Sequence, residues 1–369
     1  YKFWAFLLLF HFFVKFANSS ELNESERVKD YYKAQKVSFI FAGDIMAHLT
    51  QIKAANIYGT KKYDFTPWFQ HVSTILKNYD FAIGNLETTF AGEPYSGYPA
   101  FSCPDTFACF LKSAGFNVMV TANNHSSDRG FKGIKGTING LNKAGILHTG
   151  SFTGEVTKSK SCPLYLEKNG LKIALLNYTY GTNNGVKNLL INTIDTNIIK
   201  KDIASAKNEK TDAIIIFLHW GKEYERVPNS GQKALALFCH RNGVDAVIGS
   251  HPHVIQQSEK IETLTGNDRF VTFCIYSLGN FISNQRWRYS DGGLMVGFDI
   301  VKKSGEYNVS LENIKYEPVW IHKHFSGNTK LYEIVPVNQY KSGEIKLDLN
   351  QTDEIKIRTC IEDVQYFMK

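Results

Sequence analysis

The chain has 369 residues, 43% of them hydrophobic and 14% aromatic, which is enough apolar mass for a large core and excludes a disordered or fibrous protein. Its 42 basic and 35 acidic side chains leave a formal charge of +7 without the long Lys/Arg runs of nucleic-acid arms. Nucleic acid is therefore not expected as a partner, while anionic small substrates and envelope polymers stay open.

The first element is an address. Residues 2–16 form an apolar run with Lys2 in front and Lys15 near its end, and Ala17-Asn18-Ser19 supplies small residues in a cleavage pattern. The uninterrupted apolar length is about half of the ~20 residues that a membrane-spanning helix needs. An exported protein of the periplasm or cell envelope is expected, with residues 1–36 as a signal peptide or retained anchor followed by a polar leader. No Cys follows the run, the first being Cys103, so lipid attachment there is not expected.

Residues 37–41 are a β-rich run that stops at Gly43-Asp44, and 80–83 are a second that stops at Gly84-Asn85-Leu86-Glu87. Between them a helix is expected over 67–78, where Phe69, Val72, Ile75 and Leu76 recur on one face. A helix over 105–114 leads to a strand at 117–120 that ends before Asn123-Asn124-His125. Helices over 131–144 and 196–207 then precede a strand at 213–218, which runs into His219-Trp220-Gly221. A helix over 231–242 leads to the strand 244–248 and Gly249-Ser250-His251. This alternation predicts an α/β domain with strands buried on both faces. From Arg269 onward, strands at 270–278, 294–302, 307–311 and 332–337 have few helices between them, which suggests a second, more antiparallel layer. The closing segment reads as an exposed tail or terminal helix.

The polar clusters all follow strands, and open α/β sheets bind ligands beyond the carboxyl ends of their strands. They gather Asp44 and His48, Glu87, Asn124 and His125, His219, and His251 with His253. Carboxylates and neutral imidazoles in that number fit a pair of divalent ions, because two close cations repel and need a bridging anion and several donors. Such sites activate water for attack on phosphorus or carbonyl centres. A histidine outside the ligand set can protonate the leaving oxygen.

The blocks GDIMAH (43–48), GNLET (84–88), ANNHSSDRG (122–130), HWGKEY (219–224), GSHPHV (249–254) and YSLGNF (276–281) resemble, in type and order, the CapA or poly-γ-glutamate biosynthesis family of capsule-synthesis proteins. That family is related to the calcineurin-like metallophosphoesterases. The resemblance implies a four-layer α/β/β/α sandwich of two mixed β-sheets flanked by helices. It implies a core at 37–290, with 291–369 adding strands that complete the second sheet and a tail. Carried over residue by residue, it puts Asp44, His48 and His253 on one metal, Asn124, His219 and His251 on the other, and Glu87 between them. His125 would be the general acid. The implied cofactors are two Mn, Fe or Zn ions, with a single ion as the alternative. Two departures stand out: Glu87 occupies a bridging position that usually holds Asp, and Asp44 and His48 are spaced more widely than Asp-x-His.

Other residues carry competing readings. Asp128 either orients His125 or caps the helix near Phe131. Lys222 and Glu223 either meet an anionic substrate or form a solvated loop pair. Asn280 and Tyr276 either line the site or fasten the Gly279 turn, and Arg286 and Arg288 either bind an anion or stack on the rim. Cys103 and Cys109 are candidates for a disulfide after export; Cys239 and Cys274 read as core thiols. His11, His71, His148, His240, His322 and His324 read as ordinary structural histidines. Three functions follow. The first is a metal-dependent hydrolase acting on a phosphoester or an anionic envelope polymer. The second is a non-catalytic metal-containing binding component of a membrane-bound capsule synthesis complex. The third is an amidohydrolase, which would favour a (β/α)8 barrel that the strand-rich C-terminal third argues against.

Overall fold

A computed structural model describes residues 34–185, 190–266, 268–306, 308–327 and 329–365. The expected signal and most of the leader, His11, the first residue of the expected strand 307–311 and the end of the tail lie outside the described residues. The strands are β1 (Gln35–Ile45), β2 (Phe81–Leu86), β3 (Val118–Val120), β4 (Leu147–Thr149), β5 (Leu164–Lys168), β6 (Leu171–Thr179), β7 (Ala213–His219), β8 (Ala246–Ser250), β9 (Ile255–Thr265), β10 (Asp268–Leu278), β11 (Asn280–Ile282), β12 (Gly292–Lys302), β13 (Ser310–Ser326) and β14 (Thr329–Pro336). The helices are α1 (Leu49–Ala55), α2 (Thr66–Phe69), α3 (Ser73–Lys77), α4 (Phe107–Ala114), α5 (Gly130–Ala144), α6 (Glu155–Ser161), α7 (Thr196–Asn208), α8 (Ser230–Arg241), α9 (Val337–Ser342) and α10 (Gln351–Gln365).

Two mixed sheets result. One runs β14-β13-β12-β1-β2-β3-β4 with β11 also paired to β1, and the other runs β5-β6-β7-β8-β10-β9. Period-two alternation decides which face each side chain joins. Phe39 and Phe41 of β1 meet Ile215 and Phe217 of β7 in the core between the sheets. Ile40 and Ala42 turn outward to Phe65, Trp68, Phe69 and Phe107. On the second sheet, Ile214, Ile216 and Leu218 face Ile199 and Ile203 of α7 and Ala236 and Cys239 of α8. Helix, sheet, sheet and helix layers therefore stack as the resemblance implied, and both sheets are open, which excludes the barrel.

Two expectations change. The helix expected over 67–78 is broken into α2 and α3; Gln70 and His71 lie in the gap and turn to Glu333, with Gln70 Nε2 donating to Glu333 Oε1 at 2.5 Å. The C-terminal strands do not complete a second sheet. β12 pairs antiparallel along β1 from Gln35↔Lys302 to Phe41↔Val296, so β12, β13 and β14 widen the sheet that β1 begins, while β10 joins the other one. The closing segment is helical: Ile357, Cys360 and Val364 of α10 pack into the core between the sheets.

The sheets are joined where the site lies. β10 ends at Leu278 in one sheet, Gly279 turns with φ +68°, and β11 pairs with β1 in the other sheet. A side-chain carbon on Gly43 would stand 2.0 Å from the Gly279 carbonyl oxygen, so glycine lets β1 approach this crossing closely enough for Asp44 N–H to donate to it at 3.0 Å. The core between the sheets also predicts a graded response to truncation. Phe41→Ala, which removes a fully buried ring, should cost about 3–5 kcal/mol in urea unfolding. Tyr58→Ala at a fully exposed position should stay within about 0.5 kcal/mol.

Candidate metal centre

Six chain segments, drawn from both sheets, end at one rim. Asp44 lies near the end of β1, Asn85 in β2 with Glu87 one residue past it, and Asn124 and His125 in the loop after β3. His219 closes β7, His251 and His253 follow β8, and Asn280 opens β11. All are buried. The expected strand-end clusters therefore converge, though the turn carrying His251 and His253 is not extended. Both residues take left-handed backbone conformations, with φ 97° and 57°, which are sparsely populated for such side chains.

Glu87 is at the middle. Its two carboxyl oxygens are buried and have no hydrogen-bond partner, while His219 Nε2 is 3.8 Å and His253 Nε2 3.9 Å from Oε1. Ligand atoms of Asp44, Glu87 and His219 lie within 4.8 Å of one another, as do those of Glu223, His251 and His253. Burial first, and then the Asp44 carboxylate, raise the Glu87 pKa well above the usual carboxylate range. Burial and the neighbouring imidazoles hold His219 well below the usual histidine value, and burial followed by His253 brings His251 to about 3. His219 and His251 are therefore neutral donors, and Glu87 lacks only a cation to be stable as an anion. This donor set fits divalent metal: Asp44, Glu87, His219, His251, His253 and the Asn124 amide oxygen are the atoms that would hold it.

Hydrogen bonds orient these donors. Asp44 Oδ1 accepts from Asn85 Nδ2 at 2.8 Å, and His253 Nδ1 lies 3.0 Å from Asp44 Oδ2 and 3.1 Å from Asn280 Oδ1. Donation from Nδ1 leaves His253 Nε2 facing Glu87, the arrangement in which a carboxylate fixes a ligating ring. His219 is held through Nδ1 by Ser250 Oγ at 2.9 Å and through Nε2 by Asn124 Oδ1 at 2.8 Å. His125 Nδ1 donates to Asp128 Oδ2 at 2.8 Å, and the same oxygen accepts from Phe101 N–H. Asp128 therefore faces His125; the residue at the helix-capping position of α5 is Arg129.

Other expected site residues meet the rim through different contacts. His48 is the N-cap of α1; its ring rests against Phe101, and its Nδ1 accepts from the Asn284 N–H at 3.2 Å. Among the described residues it belongs to none of the clusters of close ligand atoms, and burial lowers its pKa to about 4. Lys222 is exposed and pairs with Glu225 at 3.5 Å. Glu223 approaches His251 and His253 as a potential ligand in its own right. Arg286 is exposed beyond the Asn280 turn, its Nη1 donating to the Gln285 carbonyl at 2.6 Å. Arg288 pairs with Asp363, and Tyr276 donates to Glu259 Oε1, away from the Gly279 turn. Cys103 and Cys109 are free thiols, so the candidate disulfide is absent; Cys239 and Cys274 are buried as expected.

Sequence reasoning missed the contribution of β6. Asn177 Oδ1 accepts the backbone N–H groups of Thr121 and Ala122 across the sheets at 3.1 and 2.7 Å, which fixes the loop that carries Asn124 and His125. Tyr180, just past β6, lays its ring 4.6 Å from that of His251. A signal was present: Asn169-Gly170 between apolar runs marks a two-residue hairpin, and both residues have positive φ, 51° and 80°.

The family model for bacterial capsule synthesis protein PGA_cap matches residues 38–285, a span that includes every donor named above. The capsule biosynthesis protein CapA of Bacillus anthracis is 31% identical over 282 residues, covering 72% of this chain and 64% of that protein. The chain thus spans less than two thirds of that relative. The PGA biosynthesis protein CapA of Bacillus subtilis strain 168 is 28% identical over 355 residues, covering 90% and 87%. Among solved structures, the NAD nucleotidase of Haemophilus influenzae is similar at a TM-score of 0.49 and 13% identity, over 90% of this chain and 68% of that one. The length of the family match and the identity to the Bacillus anthracis protein place this chain in the bacterial capsule synthesis family PGA_cap.

Proposed function

We propose that this protein is an exported metal-dependent hydrolase acting on an anionic envelope polymer or a phosphoester, alongside a membrane-bound capsule synthesis complex. The observation that carries the reading is the unbonded Glu87 carboxylate, ringed by Asp44, His219 and His253 and set in the same rim as the His125–Asp128 pair. The names of the relatives, capsule and PGA biosynthesis, supply the polymer class. No helix among the described residues is long and apolar enough to cross a membrane.

Bound divalent ions supply Lewis acidity and lower the pKa of water at such a centre. The chain's own residues do the rest. Asp44 and Glu87 provide the anionic charge that retains the cations, and the rings of His219, His251 and His253 complete the donor set. His125 commits Nδ1 to Asp128, which leaves Nε2 to deliver a proton to the departing oxygen and lets the carboxylate stabilise the charged ring. Lys222 at the exposed rim draws an anionic chain toward the centre.

Untagged protein should bind Mn, Fe or Zn at this centre, and Glu87→Gln should lose the metal of this centre, read by elemental analysis, together with turnover in a phosphodiester and γ-glutamyl substrate panel. His125→Ala should keep the metal and lose about 10²–10⁴-fold in kcat; unchanged turnover in that variant would contradict the catalytic reading and favour a polymer-binding role. Because burial and Asp44 raise the Glu87 pKa in the metal-free protein, metal binding should release protons and tighten as pH rises through that raised pKa. Calorimetry in buffers of different ionisation enthalpy measures that release, which Glu87→Gln should abolish.

A further inference from the structure

His322 and His324 entered the sequence reading as ordinary histidines. The fold places both on one face of β13 and sets Glu333 of the edge strand β14 opposite His322 in antiparallel register. Their rings stack at 4.3 Å with 9° between planes, and Trp320 stacks on His322 at 4.8 Å. Two further side chains arrive from other layers: His71 from the gap between α2 and α3, and Asp353 from the first turn of α10. None of these residues belongs to the centre described above.

Neither ring nitrogen of His322 has a hydrogen-bond partner, nor has His324 Nε2, although the His322 side chain is only 3% exposed. Buried polar groups are ordinarily satisfied, so an orphaned imidazole inside a cluster of donors points to an absent partner. Around Glu333 Oε2 stand His324 Nε2 at 3.3 Å, His322 Nδ1 at 3.6 Å and His71 Nε2 at 3.9 Å. Ligand atoms of His322, His324 and Glu333 lie within 4.8 Å of one another, and donors bound at 2.0–2.1 Å in a tetrahedral zinc site are about 3.4 Å apart, so small adjustments would let these three share an ion. The second nitrogen of His322, Nε2, faces Asp353 Oδ2 at 3.5 Å, where a carboxylate would orient a ligating ring. The His324 side chain is 25% exposed, which leaves a route for entry.

We infer that His322, His324 and Glu333 form a second divalent-metal site, zinc by its donor class, with Asp353 as a positioning residue. The ion fastens β13 to the edge strand β14 and, through Asp353, to α10, and it takes no part in hydrolysis. The test uses the untagged full chain in a Glu87→Gln background, equilibrated with micromolar zinc, desalted and assayed for metal per chain. Adding His324→Gln should remove about one zinc per chain and abolish the fall in thermal midpoint that EDTA causes in Glu87→Gln alone. Glu333→Gln is the second variant, with far-UV circular dichroism showing that each remains folded. Equal zinc content with and without these substitutions, or no zinc at all in Glu87→Gln, would overturn the inference. Neither result bears on turnover by the first centre, which the substrate panel reads separately.

Discussion

A carboxylate that loses its water and gains no hydrogen bond is unstable as an anion unless positive charge stands beside it. At Glu87 both oxygens are in that state, and the groups facing them are the Asp44 carboxylate and the imidazoles of His253 and His219, the latter held well below the usual histidine value by burial. Among the described residues no lysine or arginine is paired with Glu87. Burial and Asp44 favour the protonated form of Glu87 in the metal-free protein, and a divalent cation would satisfy Glu87 and Asp44 together. The remaining features of the rim, from the left-handed turns at His251 and His253 to the orienting bonds of Asn85 and Ser250, hold donors around the place where that charge belongs.

The two sheets share the construction. Asp44, Glu87, Asn124 and His125 come from one sheet and His219, His251 and His253 from the other, so the donor set exists only when both sheets are docked. Gly279 carries the chain across between them, and Asn177 ties a strand of the second sheet to the loop of Asn124 and His125. The aromatic packing of Phe41 with Phe217 and Phe298 between the sheets is therefore upstream of the chemistry. A repacking that shifts one sheet against the other moves ligands on both sides at once.

Much of this was legible because long apolar runs that stop abruptly at His, Asp or Asn are poorly explained by packing. The stops at Asp44, Glu87, His125, His219 and His251 located the rim, and period-two alternation located the core. What was hidden depends on tertiary partners. His48 has a ligand's chemistry and follows the right strand, yet it caps α1 and bonds Asn284, an outcome set by a residue more than two hundred positions away. β13 interleaves charged and apolar residues because its first half is partly exposed, so only its start read as a strand. His322 and His324 looked ordinary because Glu333, Asp353 and His71 reach them only through folding. Glu223 was placed among substrate contacts by its loop, whereas its carboxyl comes within reach of two histidines.

The central claim is that Glu87 anchors a metal shared by the two sheets, and anomalous diffraction from crystals grown with manganese tests it most directly. The account predicts an anomalous peak within bonding distance of a Glu87 oxygen, with His219 or His253 completing the shell. A crystal in which manganese binds elsewhere, and in which Glu87 is hydrogen-bonded to ordered water with no density above it, would contradict the account.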